Sequence, residues 1–298
     1  MTLRLATRRS PLALRQAELV RARLAGCGVP AELVTVETRG DRHAERPLVE
    51  FAGQGAFAIE IQEAVLAGHA DVAVHSAKDL PGQTPPGLVL CAVPERRDAA
   101  DALVGRTLAA LGPGATVATG SPRRRALLLE HRPDLSVVGL RGNMATRLSA
   151  LTRGVDAIVA AVAALERLGL DDQVSERLDV VWFTPQVGQG ALALECREQD
   201  AATIAALATI DDLAAHVAVR TERAFLIELG AGCTIPAGAH AQVGEVGQVE
   251  ISGAMVGADG GRSVRATLRG TDPEALGAAL ARHLRDDLRG SELPGWRA

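Results

Sequence analysis

The chain has 298 residues, more than one typical core accommodates, and this length points to two or three domains. Hydrophobic residues make up 47% and charged residues 23%, as in globular proteins, and no run is apolar enough to span a membrane. With a net charge of −4, only 2% aromatics and no tyrosine, the chain lacks both a general attraction for polyanions and stacking platforms for bases, which argues against a nucleic-acid partner.

MTLRLATRRSPLAL carries no signal-peptide core or cleavage site, so a cytoplasmic location is expected. LRLAT reads as a strand, and Ser10-Pro11 opens a helix through about Gly26. AELVTVET is a second strand. FAIEIQEAVLAG is a helix ending at Gly68. DVAVHS and LVLCAVP are further strands. Alternation of this kind predicts a parallel sheet covered by helices.

The pattern restarts near residue 100 with the strands DALV and TVATG. In TGSPRRR, Ser121 caps a helix and Pro122 fits its first position. Arg123, Arg124 and Arg125 then crowd the end of the helix that is already partly positive. A solvated first turn accommodates them, and so does an anion shared by the arginines and the free N–H groups. LSVVGLRG is a strand, followed by a helix through MATRLSALTRG, and DAIVAAVAALERLGL is a strand entering a helix. TPQVGQGALALECR is Gly-rich and then apolar, and can carry the chain back to the first block.

LAAHVAVRTERAFLIELGAG predicts a long helix ending in glycines. HAQVGEV, VEISGAMVG and RSVRATLRG read as an antiparallel meander, and Asp272-Pro273 opens a last helix. The fold class expected is α/β, with two doubly wound domains plus a smaller α+β C-terminal domain. The first domain is discontinuous, residues 1–96 and 189–211; the second is 97–188 and the third 212–298.

In open parallel sheets, ligands sit beyond the carboxyl ends of the strands. Those ends carry Arg8, Arg9 and Ser10; His75, Ser76, Lys78 and Asp79; Thr119, Ser121, Arg123 and Arg124; and Arg141, Gly142 and Asn143, with Arg147 one turn on. Each has a hydroxyl or glycine and at least one cation. Together they predict an interdomain cleft for a ligand with several negative groups. No GxxxxGK[ST] and no GxGxxG after a strand occurs, and arginine forks match carboxylate as well as phosphate. Lys78 is the one lysine among 32 Lys plus Arg. Asp79, beside it, is the one carboxylate in the set: either an ordinary surface pair or an acid that stabilises a cation. His75 reads as a satisfied strand-end histidine.

Cys27, Cys91, Cys196 and Cys233 have no metal-ligand spacing, so no metal is expected, and the expected cytosolic location argues against a disulfide. The first three read as small hydrophobes. Cys233, between Gly232 and Thr234, sits in a glycine turn that can expose a nucleophile or a covalent anchor.

LRLATRRSPLAL, TRGD, AVHSAKDLP, HRPDL, LRGNMATRL, AVAALERLGL, VGQGALALECR and GAGCTIPAG together resemble the hydroxymethylbilane synthase (porphobilinogen deaminase) family, in the family's order and over nearly the whole chain. The resemblance implies two domains like periplasmic binding proteins and a third that anchors a dipyrromethane cofactor by a thioether to Cys233. It implies head-to-tail addition of four porphobilinogen molecules with loss of ammonia, then hydrolytic release of linear hydroxymethylbilane. Asp79 would be catalytic. Ser76, Lys78, Thr119, Ser121, Arg123, Arg124, Arg141 and Arg147 would hold the cofactor and chain carboxylates. Arg8, Ser10, Gln16 and Arg167, with Arg141 and Arg147, would meet substrate. A monomer acting without nucleic acid or membrane is expected. Glu50 and Gln54 stand where many relatives carry lysines, and Gly120 and Pro122 where a Ser and a Leu are common. The competing reading is a non-enzymatic small-anion binder of periplasmic-binding-protein type, with a cleft but no covalent group.

Overall fold

The structure is a computed structural model and describes residues 2–38, 57–230, 235–245 and 247–296. The first sheet has the order β2-β1-β3-β10-β4. Its strands are β1 (Leu3–Arg8), β2 (Ala31–Val36), β3 (Val72–Ser76), β4 (Leu88–Ala92) and β10 (Leu192–Arg197). Val72–His75 of β3 are buried without alternation, as in a strand covered on both faces. One cover is α1 (Pro11–Gly26), where Ser10 caps by accepting from Ala13 N and Pro11 takes the first turn; its Ala17, Val20 and Leu24 meet Leu3, Leu5, Val72 and Val74. The other is α2 (Ile59–Leu66), whose Ile61 and Val65 pack on Ala6 and Ala73.

The second sheet repeats this order as β7-β6-β8-β5-β9. It comprises β5 (Asp101–Val104), β6 (Thr116–Ala118), β7 (Ser136–Val138), β8 (Ala157–Ala161) and β9 (Val174–Arg177). The helix α3 (Pro122–His131) buries Ala126, Leu127 and Leu128 against one face. On the other lie α4 (Met144–Leu148) and α5 (Val162–Arg167), with Leu165 in the core.

Neither sheet is purely parallel, contrary to the alternation rule. β10 runs antiparallel to β3 and β4, and β5 antiparallel to β8 and β9. The cause is the exchange of chain between the sheets: β5 and β10 are the strands by which it arrives from the other sheet. The return stretch therefore does lead back to the first block. The edge strand β9 is VSER, too polar to stand out in the sequence. The helix expected through Gly154 breaks after Leu148 into a separate 3₁₀ turn, Leu151–Arg153.

After α6 (Ala201–Ala208), α7 (Leu213–Glu228) leads to the meander β11 (Ala237–Val243), β12 (Val249–Val256) and β13 (Ser263–Gly270), closed by α8 (Pro273–Arg282). Phe225, Ile251, Met255, Leu280 and Leu284 centre its core. Among the described residues no single helix is long and apolar enough to cross a membrane.

The two crossovers run side by side. Arg96 pairs with Ala191, and Arg97 N donates to Gly190 O at 3.1 Å. Gly190 has φ +89°, and a Cβ there would stand 2.3 Å from Arg97 O, so only glycine fits. Fully buried Glu222 of α7 accepts from Arg96 Nη1, from Gly188 N at 2.6 Å and from Ala241 N at 2.7 Å. One carboxylate thus joins both crossovers to the third unit.

Candidate functional site

β3 ends in a 3₁₀ turn, Ala77–Asp79, that turns Lys78 and Asp79 out of the sheet while Ala77 stays in the core. The return crossover holds this turn. Gln186 Nε2 donates to Lys78 O at 3.3 Å, and Lys78 Nζ donates to Gln189 Oε1 at 3.3 Å. Gly188, at φ +73°, packs so closely that a Cβ would lie 2.9 Å from Lys78 N.

Gln189 is fully buried and its amide is oriented by its partners. Nε2 donates to Ala99 O at 2.7 Å and to Asp101 Oδ1 at 3.0 Å, which turns Oε1 toward Lys78 and Arg124. Asp101, at the head of β5, has no exposed surface. Arg123 Nη2 donates to its Oδ2 at 2.7 Å and Arg124 Nη2 to its Oδ1 at 2.6 Å. Burial pushes the Asp101 carboxyl up, but the Arg124 and Arg123 charges outweigh it and hold it below the usual carboxylate range.

Arg123 is 3% exposed, and its other terminal nitrogen donates to Thr184 O at 2.6 Å. It is tied to Asp101, but that carboxylate is shared with Arg124, so the trio keeps a net positive charge. Arg125 donates to Val137 O. Arg124 shares Asp101 and Val159 O, yet its charge still reaches Lys78 and Arg147. Of the three, Arg124 is the one whose field acts on the strand-end cluster. Ser121 caps α3 as expected, accepting from Arg124 N at 3.4 Å, and Thr119 Oγ1 accepts from Ser121 N at 3.2 Å.

The electrostatics define the cluster. Burial, then repulsion from Arg124, brings the Lys78 ammonium down to about 8, while Asp79 and Asp101 oppose the change. Burial and repulsion from Arg124 bring Arg147 down to about 10; Asp79 opposes, and Arg141 adds further repulsion. Arg147 Nε is fixed by donating to Gly142 O at 2.9 Å, and Asn143 caps its helix, α4. Lys78, Arg124, Arg141 and Arg147 therefore gather with Asp79 from the ends of three strands. Cations that lower one another's proton affinity form a donor set fitted to a ligand with several carboxylates.

The remaining expected residues fall into two groups. Gln16, on the buried face of α1, donates to Ser76 Oγ at 3.2 Å, and Ser10 Oγ is used in the helix cap. Arg8 lies over the Phe57 ring at 3.9 Å. Arg167 faces the crossover: its Nη2 donates to Gly190 O at 2.6 Å, and burial and Arg97 bring it down to about 10. Cys233, Glu50 and Gln54 lie outside the described residues. His75 is buried, its Nε2 3.4 Å from Glu195 Oε2. Gln62 and Thr84 donate to the same carboxylate at 2.7 and 3.0 Å.

Sequence reasoning missed Asp101, Gln189, Glu195 and Glu222. The available signal was an acid or amide inside an apolar or Gly-rich run, as in DALV, VGQGA and LALECR. A cavity of about 810 Å³ lies at the crossovers, lined by Arg96, Asp98, Arg177 and His240; none of the clustered site residues lines it. Among the described residues no group of three or more His, Cys, Asp or Glu is placed to hold a metal ion.

The family model described as "Porphobilinogen deaminase, dipyromethane cofactor binding domain" matches residues 3–205, and that described as "Porphobilinogen deaminase, C-terminal domain" matches residues 216–286. The porphobilinogen deaminase of Roseiflexus sp. (strain RS-1) is 47% identical over 293 residues, 96% of each chain. That of Syntrophotalea carbinolica is 45% identical over 290 residues, 95% of this chain and 92% of that one. Among solved structures, a nutrient binding protein from Burkholderia cenocepacia bound to methionine is similar at 13% identity and a TM-score of 0.44, over 76% of this chain and 95% of that one. The family models together span most of the sequence, and on that ground the chain belongs to the porphobilinogen deaminase family.

Proposed function

We infer that the Lys78–Asp79 turn and the cations around it are the active site of a hydroxymethylbilane synthase. This transferase condenses four porphobilinogen molecules head to tail, each losing ammonia, and releases linear hydroxymethylbilane. The observation that carries the reading is the charge arrangement. Asp101 is taken up by Arg123 and Arg124, whereas Asp79 offsets Lys78 and Arg147 from the accessible side.

When bound, dipyrromethane supplies the primer on which the pyrrole chain is built. Cys233 is the proposed thioether anchor, on the segment after α7. Lys78, Arg124, Arg141 and Arg147, with the Ser76, Thr119 and Ser121 hydroxyls, would hold acetate and propionate carboxylates. Arg8, Ser10, Gln16 and Arg167 would act on the substrate side. Arg123, tied with Arg124 to Asp101, would add its charge to the cofactor-binding set. Asp79 would supply the carboxylate that stabilises positive charge developing on pyrrole nitrogens, and would take or return a proton there. The crossovers at 97 and 188 divide the first two domains, and α7 opens the third near residue 212. We further propose a cytoplasmic monomer without nucleic-acid or membrane partners. The binding-protein alternative rests on fold resemblance alone.

Asp79→Asn tests the assignment. The fold should persist, because Asp79 lies outside the core, while turnover should fall about a hundredfold or more, the usual cost of one well-placed electrostatic group. Porphobilinogen consumption near the wild-type rate in a correctly folded Asp79→Asn protein removes Asp79 from the mechanism.

A further inference from the structure

Cys91 and Cys196 lie on neighbouring antiparallel strands, β4 and β10. Leu90 is opposite Glu195 and Ala92 opposite Leu194, so the register slips and Cys91 is the extra residue of a bulge. Bulges bend their strand and re-aim a side chain. This one points Cys91 at Cys196, and the two Sγ atoms stand 2.6 Å apart. A disulfide bond of about 2.05 Å requires them to close by about half an ångström more. Both belong to one apolar cluster beneath Ile204 and Leu207 of α6. β4 is the edge strand; Cys91 is half-buried there, and Cys196 is buried. Neither thiol has a part in the proposed reaction.

We propose that Cys91 and Cys196 form an oxidation site that a peroxide closes to a reversible disulfide. The Cys91 sulfur attacks one peroxide oxygen; an S–O bond forms, the O–O bond breaks, and one water leaves with the thiol proton, giving a sulfenic acid. Cys196 then attacks the Cys91 sulfur. The S–S bond forms, the S–O bond breaks, and the departing hydroxide takes the Cys196 proton as a second water. Two thiols lose two electrons, and one peroxide is reduced to two waters. The direction of attack follows from exposure. Contact with Cys196 also lowers the proton affinity of Cys91 and raises its thiolate share.

The consequence lies in the chain path. The two cysteines are 105 positions apart, and the intervening chain holds the entire second sheet with both crossovers. The bond would join the strand by which the chain leaves the first sheet to the strand by which it returns. A loop of this length restrains the unfolded chain strongly.

The test treats the cofactor-loaded protein with stoichiometric hydrogen peroxide, then alkylates free thiols and maps peptides without reduction. Cys27, exposed, is the internal comparator. The expected product links the Cys91 and Cys196 peptides, lacks two hydrogen atoms, forms before Cys27 is oxidised, and reopens with dithiothreitol. Its thermal midpoint should exceed that of the reduced protein by about 5 °C or more. Cys91→Ser, and Cys91→Val, which keeps the apolar packing, should show no link and no such difference. Oxidation of Cys27 while Cys91 and Cys196 both alkylate as free thiols overturns the proposal. So does advance of Cys91 to sulfinic acid without a crosslink, or a crosslinked product whose midpoint does not rise.

Discussion

Asp101→Asn is the sharpest perturbation of the site's foundation. The side chain keeps its size and loses its charge. Asp101 is fully buried and accepts from Arg123 at 2.7 Å, Arg124 at 2.6 Å and Gln189 at 3.0 Å. In the variant, two buried guanidinium groups face each other with no carboxylate between them, and an amide N–H₂ replaces one acceptor. Breaking a buried charge pair by removing one partner costs about 3–5 kcal/mol. At about 2–4 °C per kcal/mol for chains of this order, the melting midpoint should fall by roughly 10 °C. A calorimetric or fluorescence melt of both proteins at pH 7 reads it, with the second sheet's transition followed separately if unfolding is not two-state. A midpoint within about 1 °C of wild type, where several degrees are expected, refutes the claim that Asp101 holds the two arginines of α3 together.

Two further outcomes concern the cluster itself. Lys78 is held at about 8 against 10.5 for a free lysine. Its charge is present below about 8 and lost as pH rises through that value, so KM for porphobilinogen should climb above pH 8. Over the same window, from about 8 to 10.5, the folded chain has given up a proton that the unfolded chain still holds, so this group's contribution to stability increases with pH. In Lys78→Arg the limb near pH 8 should disappear; the same limb in the variant would assign it to another group. Arg147→Leu should impair chain elongation about tenfold or more, since each lost charge-assisted bond is worth about 1.5–3 kcal/mol. It should melt close to wild type, because its side chain is fixed by a bond to the Gly142 carbonyl just ahead of its own helix rather than by core packing. Normal elongation per folded molecule with a much lower melting midpoint would make Arg147 a structural residue.

What could be read from sequence was local. Ser10-Pro11, Ser121-Pro122 and Asp272-Pro273 set their helices through bonds three residues away. The strand-end cations were visible for the same reason, since each follows its own apolar run. What could not be read was pairing across distance. Arg123 looks like a free cation until Asp101, 22 positions earlier, is folded against it. Cys91 and Cys196 look like separate apolar residues until a bulge brings them together across 105 positions. The mixed sheets have the same origin: β10 enters the first sheet only after the chain has built the second, so nothing in its own six residues marks it as antiparallel.

The central claim is a polypyrrole-building enzyme whose primer hangs from Cys233, and intact mass after incubation with porphobilinogen tests it most directly. The wild-type chain should gain the mass of two linked pyrrole units, and that mass should survive thiol reductants, as a thioether does. Cys233→Ala should lack it and be inactive. An active wild-type chain with no added mass, or added mass that maps to Cys27, Cys91 or Cys196, would contradict both the anchor and the mechanism built on it.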